Sequence, residues 1–308
     1  MSKGRFDFAG CDLDFAAVSA NSDFGRGHPR GLDLRPELPL TTRELIGIDL
    51  THTIHRSDVS SAKGGGGGGG GGGGTTTSFA PYTSGPALAS AGYNITIEFK
   101  GSWTQDLYNI FVSSADRLTT LIIGDLPNVT VVGKGGQKVV DDIVITAELA
   151  AIDGSGGVLG QAGPTALRTS GSLPATAQMK FDIVDVNEMG LDVFADVVLH
   201  EMAHSLGVGS IWDRLGLVTN GLFTGEHAVD EYHAMGGTLS GIPVEQDGGS
   251  GTAGSHWDEE TFGNELMTGY IDPGENYFTA MSSASFADLG YTIRSDYAAL
   301  SDPGYVFV

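Results

Sequence analysis

The 308-residue sequence predicts an α+β protein, a mixed sheet packed on helices, and three observations carry that prediction. Residues 93–99, YNITIEF, alternate apolar and polar side chains with the period of two expected of a half-buried strand. The stretch that follows, SWTQDLYNIFVSSADRLTTLI, changes to helical spacing, with Trp103, Leu107, Ile110, Phe111 and Leu118 along one stripe. A second long helix is written in DVFADVVLHEMAHSLG, where Val197, Val198, Leu199, Met202, Ala203 and Leu206 make it apolar nearly all round, as in a buried helix.

In chain order, residues 1–63 are rich in Asp, Arg, Ser and Gly with short apolar patches such as ELIGIDL, the composition of a largely irregular arm or pro-segment. Eleven consecutive glycines, residues 64–74, precede TTTS and define a flexible linker over residues 64–77. After the first strand and helix, VDDIVITAEL reads as another strand and GGVLGQAGPT as a short extended segment ended by Gly-Pro. The second helix begins near Asp192 and stops at Gly207, a residue suited to a left-handed C-terminal cap. Beyond it the chain is Gly-rich and irregular until MSSASFADLG, a final helix. The closing YVFV suits either a packed last strand or the apolar tail of a C-terminal export signal.

The formal charge of −22 sets up a field that repels nucleic acid and anionic membranes, which excludes both as partners. Cys11 is the one cysteine, so no intramolecular disulfide is available. No window reaches the roughly 18 apolar residues of a membrane span, and the first residues lack the apolar run of a Sec-type signal peptide. A monomer secreted without such a peptide is the expectation.

The chemistry concentrates in HEMAHSLGVG, residues 200–209. In a helix each residue advances about 100° and 1.5 Å, so His200 and His204 stand one turn apart on one face and can grip one metal ion. Glu201 lies beside that pair, near enough to reach a metal-bound water and turned away from being a ligand, which suits a general base. Zinc fits, because three protein ligands and a water complete its shell, the water's pKa falls to about 7, and the ion polarises a carbonyl. A chance pairing among eight histidines is the competing account, but uncoordinated imidazoles in a buried helix are costly. The compact spacing HExxHxxGxxH would put the third ligand at position 210, which is Ser210. His227, His233 and His256 remain, and His256, within SHWDEETFGNELMTG, is followed eleven residues later by Met267.

With these residues the chain resembles the leishmanolysin family of metzincins, in which a long insertion separates the helix glycine from the third histidine and a methionine turn follows. The resemblance runs over roughly residues 90–295, through GDLP, GGVLGQAGPT, DVVLHEMAHSLGVG, HWDEETFGNELM and FADLGY, and is to the bacterial branch, without a cysteine framework. It implies a zincin fold with a twisted mixed sheet and two long helices in an upper lobe, residues 78–207. A mostly irregular lower lobe with a C-terminal helix, residues 208–308, would complete it. It further implies zinc on His200, His204 and His256, Glu201 as base, Met267 as an apolar floor, and a protein or peptide substrate in the cleft between the lobes. Residues 1–77 lie outside it.

Smaller features carry paired expectations. Cys11 is either a zinc-capping thiolate in a latent precursor or a free thiol. His227 and His233 are alternative ligands or solvated loop residues. GGVLGQAG is either an edge strand that pairs with substrate backbone or an ordinary buried strand. Tyr270 either donates to an oxyanion or packs. Asp141, Asp142, Asp153, Asp182 and Asp185 are either a structural Ca2+ site or a solvated acidic surface. The function expected is a zinc-dependent endopeptidase. Its rivals are a zinc-containing adhesion or matrix-binding module without turnover, and a zinc hydrolase acting on something other than protein.

Overall fold

A computed structural model describes residues 52–56 by their backbone, together with residues 76–133 and 136–307. Cys11 and the eleven glycines, and with them most of the expected arm and linker, lie outside the described residues. One sheet holds seven strands: β1 (His52–Arg56), β2 (Tyr82–Thr83), β3 (Ile95–Lys100), β4 (Ile143–Ala150), β5 (Val158–Leu167), β6 (Pro174–Asp182) and β7 (Tyr270–Ile271). Their spatial order is β7-β1-β5-β6-β4-β3-β2. The pairs β3–β4, β4–β6 and β1–β7 are parallel, and β2–β3, β5–β6 and β1–β5 antiparallel, so the sheet is mixed as expected.

The strands β3, β4 and β6 bury residues at alternate positions. Ile95 and Ile97 of β3, Ile143, Ile145 and Ala147 of β4, and Ala175, Ala177, Met179 and Phe181 of β6 all lie in the core. Two long helices cover this sheet, α1 (Gln105–Leu121) and α2 (Leu191–Ser205). Thr104 caps α1, its Oγ1 accepting from the Leu107 N–H at 3.3 Å, with Asp106 in the positive first turn. Trp103 therefore stands before the helix rather than in it, and its backbone pairs with Thr77 instead. Sheet and helices lock through edge-to-face aromatic contacts, with ring centroids 5.5 Å apart for Phe111–Phe181, 5.9 Å for Phe111–Phe194 and 5.4 Å for Phe181–Phe194.

Two differences from expectation concern β5 and β6. GGVLGQAGPT does not end at Gly-Pro: β5 continues to Leu167, and Pro164 is tolerated because the register with β6 shifts directly after it, at a bulge. The strand β6 was not foreseen, although it alternates in and out, because Ala and Lys dilute its β propensity. Its end supplies Asp182, whose carboxylate accepts from the backbone N–H groups of Ile152 at 2.7 Å and Val184 at 2.8 Å. Burial opposes its ionisation, but backbone donors outweigh this and hold the carboxyl below its ordinary range.

After α2 the chain makes short turns of helix, small hairpins, α3 (Glu226–Ala234) and the foreseen final helix α4 (Ala280–Leu289). Asp288 of α4 caps α3, accepting from the His227 and Ala228 N–H groups at 3.0 and 2.9 Å. The chain end packs but forms no strand over residues 305–307; the Phe307 ring lies 5.7 Å from Tyr232 and 5.6 Å from Phe262. Among the described residues no helix is long and apolar enough to cross a membrane.

Candidate metal centre

The helix α2 presents His200 and His204 on one buried face and ends at Gly207, whose φ of 113° takes the chain out in the left-handed conformation. Gly209 then allows a close crossing. A Cβ there would lie 1.9 Å from the carbonyl oxygen of Ser255 and 3.1 Å from the His204 ring, so only glycine lets the segment carrying His256 approach. Ser210, at the position of a compact third ligand, turns its hydroxyl back to the His204 carbonyl oxygen at 2.7 Å.

The three histidines converge through one kind of atom. Nε2 of His204 lies 2.8 Å from Nε2 of His200 and 3.0 Å from that of His256, and the remaining pair is 3.3 Å apart. Each Nδ1 is engaged by a backbone carbonyl: His200 by Leu266 at 2.7 Å, His204 by Val208 at 2.8 Å, His256 by Thr252 at 2.9 Å. A carbonyl oxygen only accepts, so every Nδ1 carries the proton and every Nε2 turns a lone pair inward. Facing lone pairs repel, and a cation resolves that. Ligands about 2.0–2.1 Å from zinc at tetrahedral angles stand on the order of 3.3 Å apart, close to the spacing found. These residues fit a metal, and all three are fully buried.

Glu201 is buried beside them, and neither carboxyl oxygen has a hydrogen-bond partner among the described residues. Desolvation pushes its carboxyl well above the ordinary carboxylate range. Gly160 of β5 forms its roof, since a Cβ there would come within 2.5 Å of Glu201 Oε1.

Met267 is fully buried in a turn held by Glu265. That carboxylate accepts from the Met267 N–H at 2.5 Å, the Thr279 hydroxyl at 2.7 Å and the Ser282 hydroxyl at 2.6 Å. Because the Leu266 carbonyl of the same turn orients His200, Glu265 acts on the site through the backbone. Sequence reasoning missed Glu265, Gly160 and Gly209; the only signal was their nearness to Met267, GGVLGQAG and the helix motif.

His227 and His233 sit exposed on α3, outside the triad, the latter's Nε2 2.8 Å from the Leu239 carbonyl oxygen. Tyr270 belongs to β7, paired with β1. The calcium expectation finds no support at Asp153, Asp182 and Asp185, whose oxygens accept backbone N–H groups from Val158, Ile152 and Gly156. Asp142 likewise accepts from Asn94 at 2.7 Å and Leu126 at 2.8 Å, although its oxygens and those of Asp125 and Asp141 lie within 4.8 Å of one another.

Residues 224–300 match the family model described as Leishmanolysin, a stretch that includes His256, Glu265 and Met267. Leishmanolysin of Leishmania donovani is 28% identical over 159 residues, covering 46% of this chain and 26% of that protein. The leishmanolysin homolog of Crithidia fasciculata is 29% identical over 157 residues, covering 46% and 24%, and leishmanolysin of Leishmania major is 30% identical over 157 residues, covering 46% and 26%. The chain spans about a quarter of the length of these curated relatives. The histidine that no compact spacing locates, the methionine turn after it and these matches agree in placing the similarity to leishmanolysin on the residues of this site.

Proposed function

We propose that this chain is a zinc-dependent endopeptidase in which His200, His204 and His256 hold the metal and Glu201 carries the proton. The observation that supports it best is three inward-facing Nε2 lone pairs beside a buried carboxyl with no partner among the described residues. Bound zinc supplies Lewis acidity and lowers the pKa of a water to about 7. Glu201 takes a proton from water at a carboxylate oxygen and returns it to the nitrogen of the departing amine. No described side chain competes for its oxygens. The imidazoles stay oriented because each Nδ1 proton is committed to a carbonyl.

In this reading residues 78–207 form the upper lobe and residues 208–308 the lower, with a peptide between them and Met267 as the apolar floor. A purely structural zinc site favours a fourth protein ligand and has no use for Glu201, which speaks against an adhesion module without turnover.

The test measures zinc content and cleavage of casein or a peptide library for the wild type, Glu201→Gln and His256→Ala. Glu201→Gln should keep its zinc and lose turnover, and His256→Ala should lose both. Proteolysis retained in Glu201→Gln would overturn the base. Full occupancy and activity in His256→Ala would return the third ligand to His227 or His233.

A further inference from the structure

The three candidate ligands are not held alike. His200 and His204 ride on α2, where helix hydrogen bonds fix their backbone, whereas His256 ends a loop, residues 246–255, that contains neither helix nor strand. Four of those ten residues are glycines with positive φ, Gly248, Gly249, Gly251 and Gly254. Glycine loses more conformational freedom on ordering than any other residue, so such a loop wanders unless its ends are fixed. The Nδ1 bond of His256 is no anchor for it, because its acceptor, the Thr252 carbonyl, belongs to the same loop.

Glu245 stands at the mouth of the loop and grips both ends. Its N–H donates to the His256 carbonyl oxygen at 2.9 Å, and its own carbonyl oxygen accepts from the Gly254 N–H at 2.7 Å. The buried side chain adds a bridge: Oε1 accepts from the Asp247 N–H at 2.8 Å on the way in, and Oε2 from the Glu259 N–H at 3.3 Å on the way out. Any residue with an N–H could make the two backbone bonds, but the bridge needs two acceptor oxygens on a side chain that reaches both ends. A carboxylate also accepts an N–H more strongly than a neutral oxygen does.

We propose that Glu245 is the positioning residue for His256: by bridging Asp247 to Glu259 it holds the third imidazole in place before the metal arrives, and so sets the affinity of the site. This rests on the reading of His256 as a zinc ligand. Both carboxylate oxygens are committed to backbone N–H groups, so the action of Glu245 on the site runs through the loop.

A metal finds the complete site only in the fraction of molecules whose His256 is in place, and apparent affinity falls by that fraction. If loss of the bridge leaves His256 in place in roughly one molecule in ten to one in a hundred, zinc affinity falls about 10–100-fold, the loss usual for groups that orient metal ligands. The experiment is a double-variant cycle on the full chain, with Zn2+ affinity read in competition with a chromogenic chelator. Glu245→Ala should show that fall, and Glu245→Gln, which keeps the length and one acceptor oxygen, a smaller one. In a His256→Ala background, where His200 and His204 retain a weaker site, Glu245→Ala should cost no further affinity, because nothing is left to position. A general loosening of the fold would lower affinity alike in both backgrounds. Wild-type affinity in Glu245→Ala, or an equal loss in both backgrounds, would overturn the proposal and leave the zinc and endopeptidase readings standing. If Glu245→Ala does not fold, the cycle run with Glu245→Gln decides by the same two outcomes. Undiminished affinity in His256→Ala would overturn this proposal together with the ligand assignment. Only metal binding is read, so a chain that binds zinc through all three histidines yet cleaves no peptide would end the endopeptidase reading without touching the role of Glu245.

Discussion

Gly160→Ala tests the coupling between sheet and base most sharply. Gly160 has no positive φ, so alanine can adopt its backbone conformation and the perturbation is purely steric. The added Cβ would lie 2.5 Å from Glu201 Oε1 and 3.0 Å from both Cδ and Cγ, where ordinary contact begins at 3.4 Å. The carboxylate must therefore retreat by roughly 0.9 Å, and misplacing a catalytic group by about 1 Å costs on the order of 100-fold in rate. Folding should suffer little, because the displaced atoms are the end of a flexible side chain. Zinc content should be unchanged, since no histidine is touched. The assay compares kcat on a quenched peptide, metal content and the thermal midpoint with those of Gly190→Ala, where an added Cβ meets nothing within 4 Å. Wild-type kcat in a folded, zinc-loaded Gly160→Ala would refute the placement of Glu201 beneath β5. Loss of zinc would refute the independence of base and ligands.

Three further outcomes are expected. Glu265→Ala strips the acceptor from the Met267 N–H and two hydroxyls, and its zinc affinity should fall about 10–100-fold in competition with a chromogenic chelator, as for other groups that orient metal ligands. Wild-type affinity would show that the turn holds without it. Phe111→Ala opens the aromatic junction of α1, α2 and β6, and should lower unfolding free energy by about 3–5 kcal/mol in urea. A loss under 1 kcal/mol would mean that the junction repacks. Burial raises Asp142 to about 6, above its unfolded value of 3.8, so the folded state holds the extra proton and this contribution is complete below the unfolded pKa and lost as pH rises through 6. Relative to wild type, Asp142→Asn should therefore gain stability between pH 4 and 7, by at most about 3 kcal/mol, and a difference flat with pH would refute the shift.

What was legible in the sequence was local. The period-two run of β3, the stripe of α1 and the i, i+4 pair of α2 each depend on residues within one or two turns of each other, so backbone geometry alone predicts them. The helical spacing that reaches back to Trp103 continues past the Thr104 cap, and Gly-Pro predicts an end at Pro164 because a bulge that accommodates proline is a property of the neighbouring strand. The strand β6 hid behind small side chains, although the sheet needs small residues there: Ala175 and Ala177 leave room for the helices over it.

By itself, the sequence determined that one enclosed helix carries two imidazoles and a carboxylate on neighbouring faces, because a covalent chain with 3.6 residues per turn cannot arrange them otherwise. Tertiary structure alone decided the rest of the site. His256 reaches the pair only because Gly209 lets another backbone pass at contact distance, and each Nε2 points inward only because Leu266, Val208 and Thr252 bring carbonyls to the opposite nitrogens. Likewise, β1 lies along β5 through backbone hydrogen bonds, which are the same for every residue type and leave no pattern in a sequence to be read.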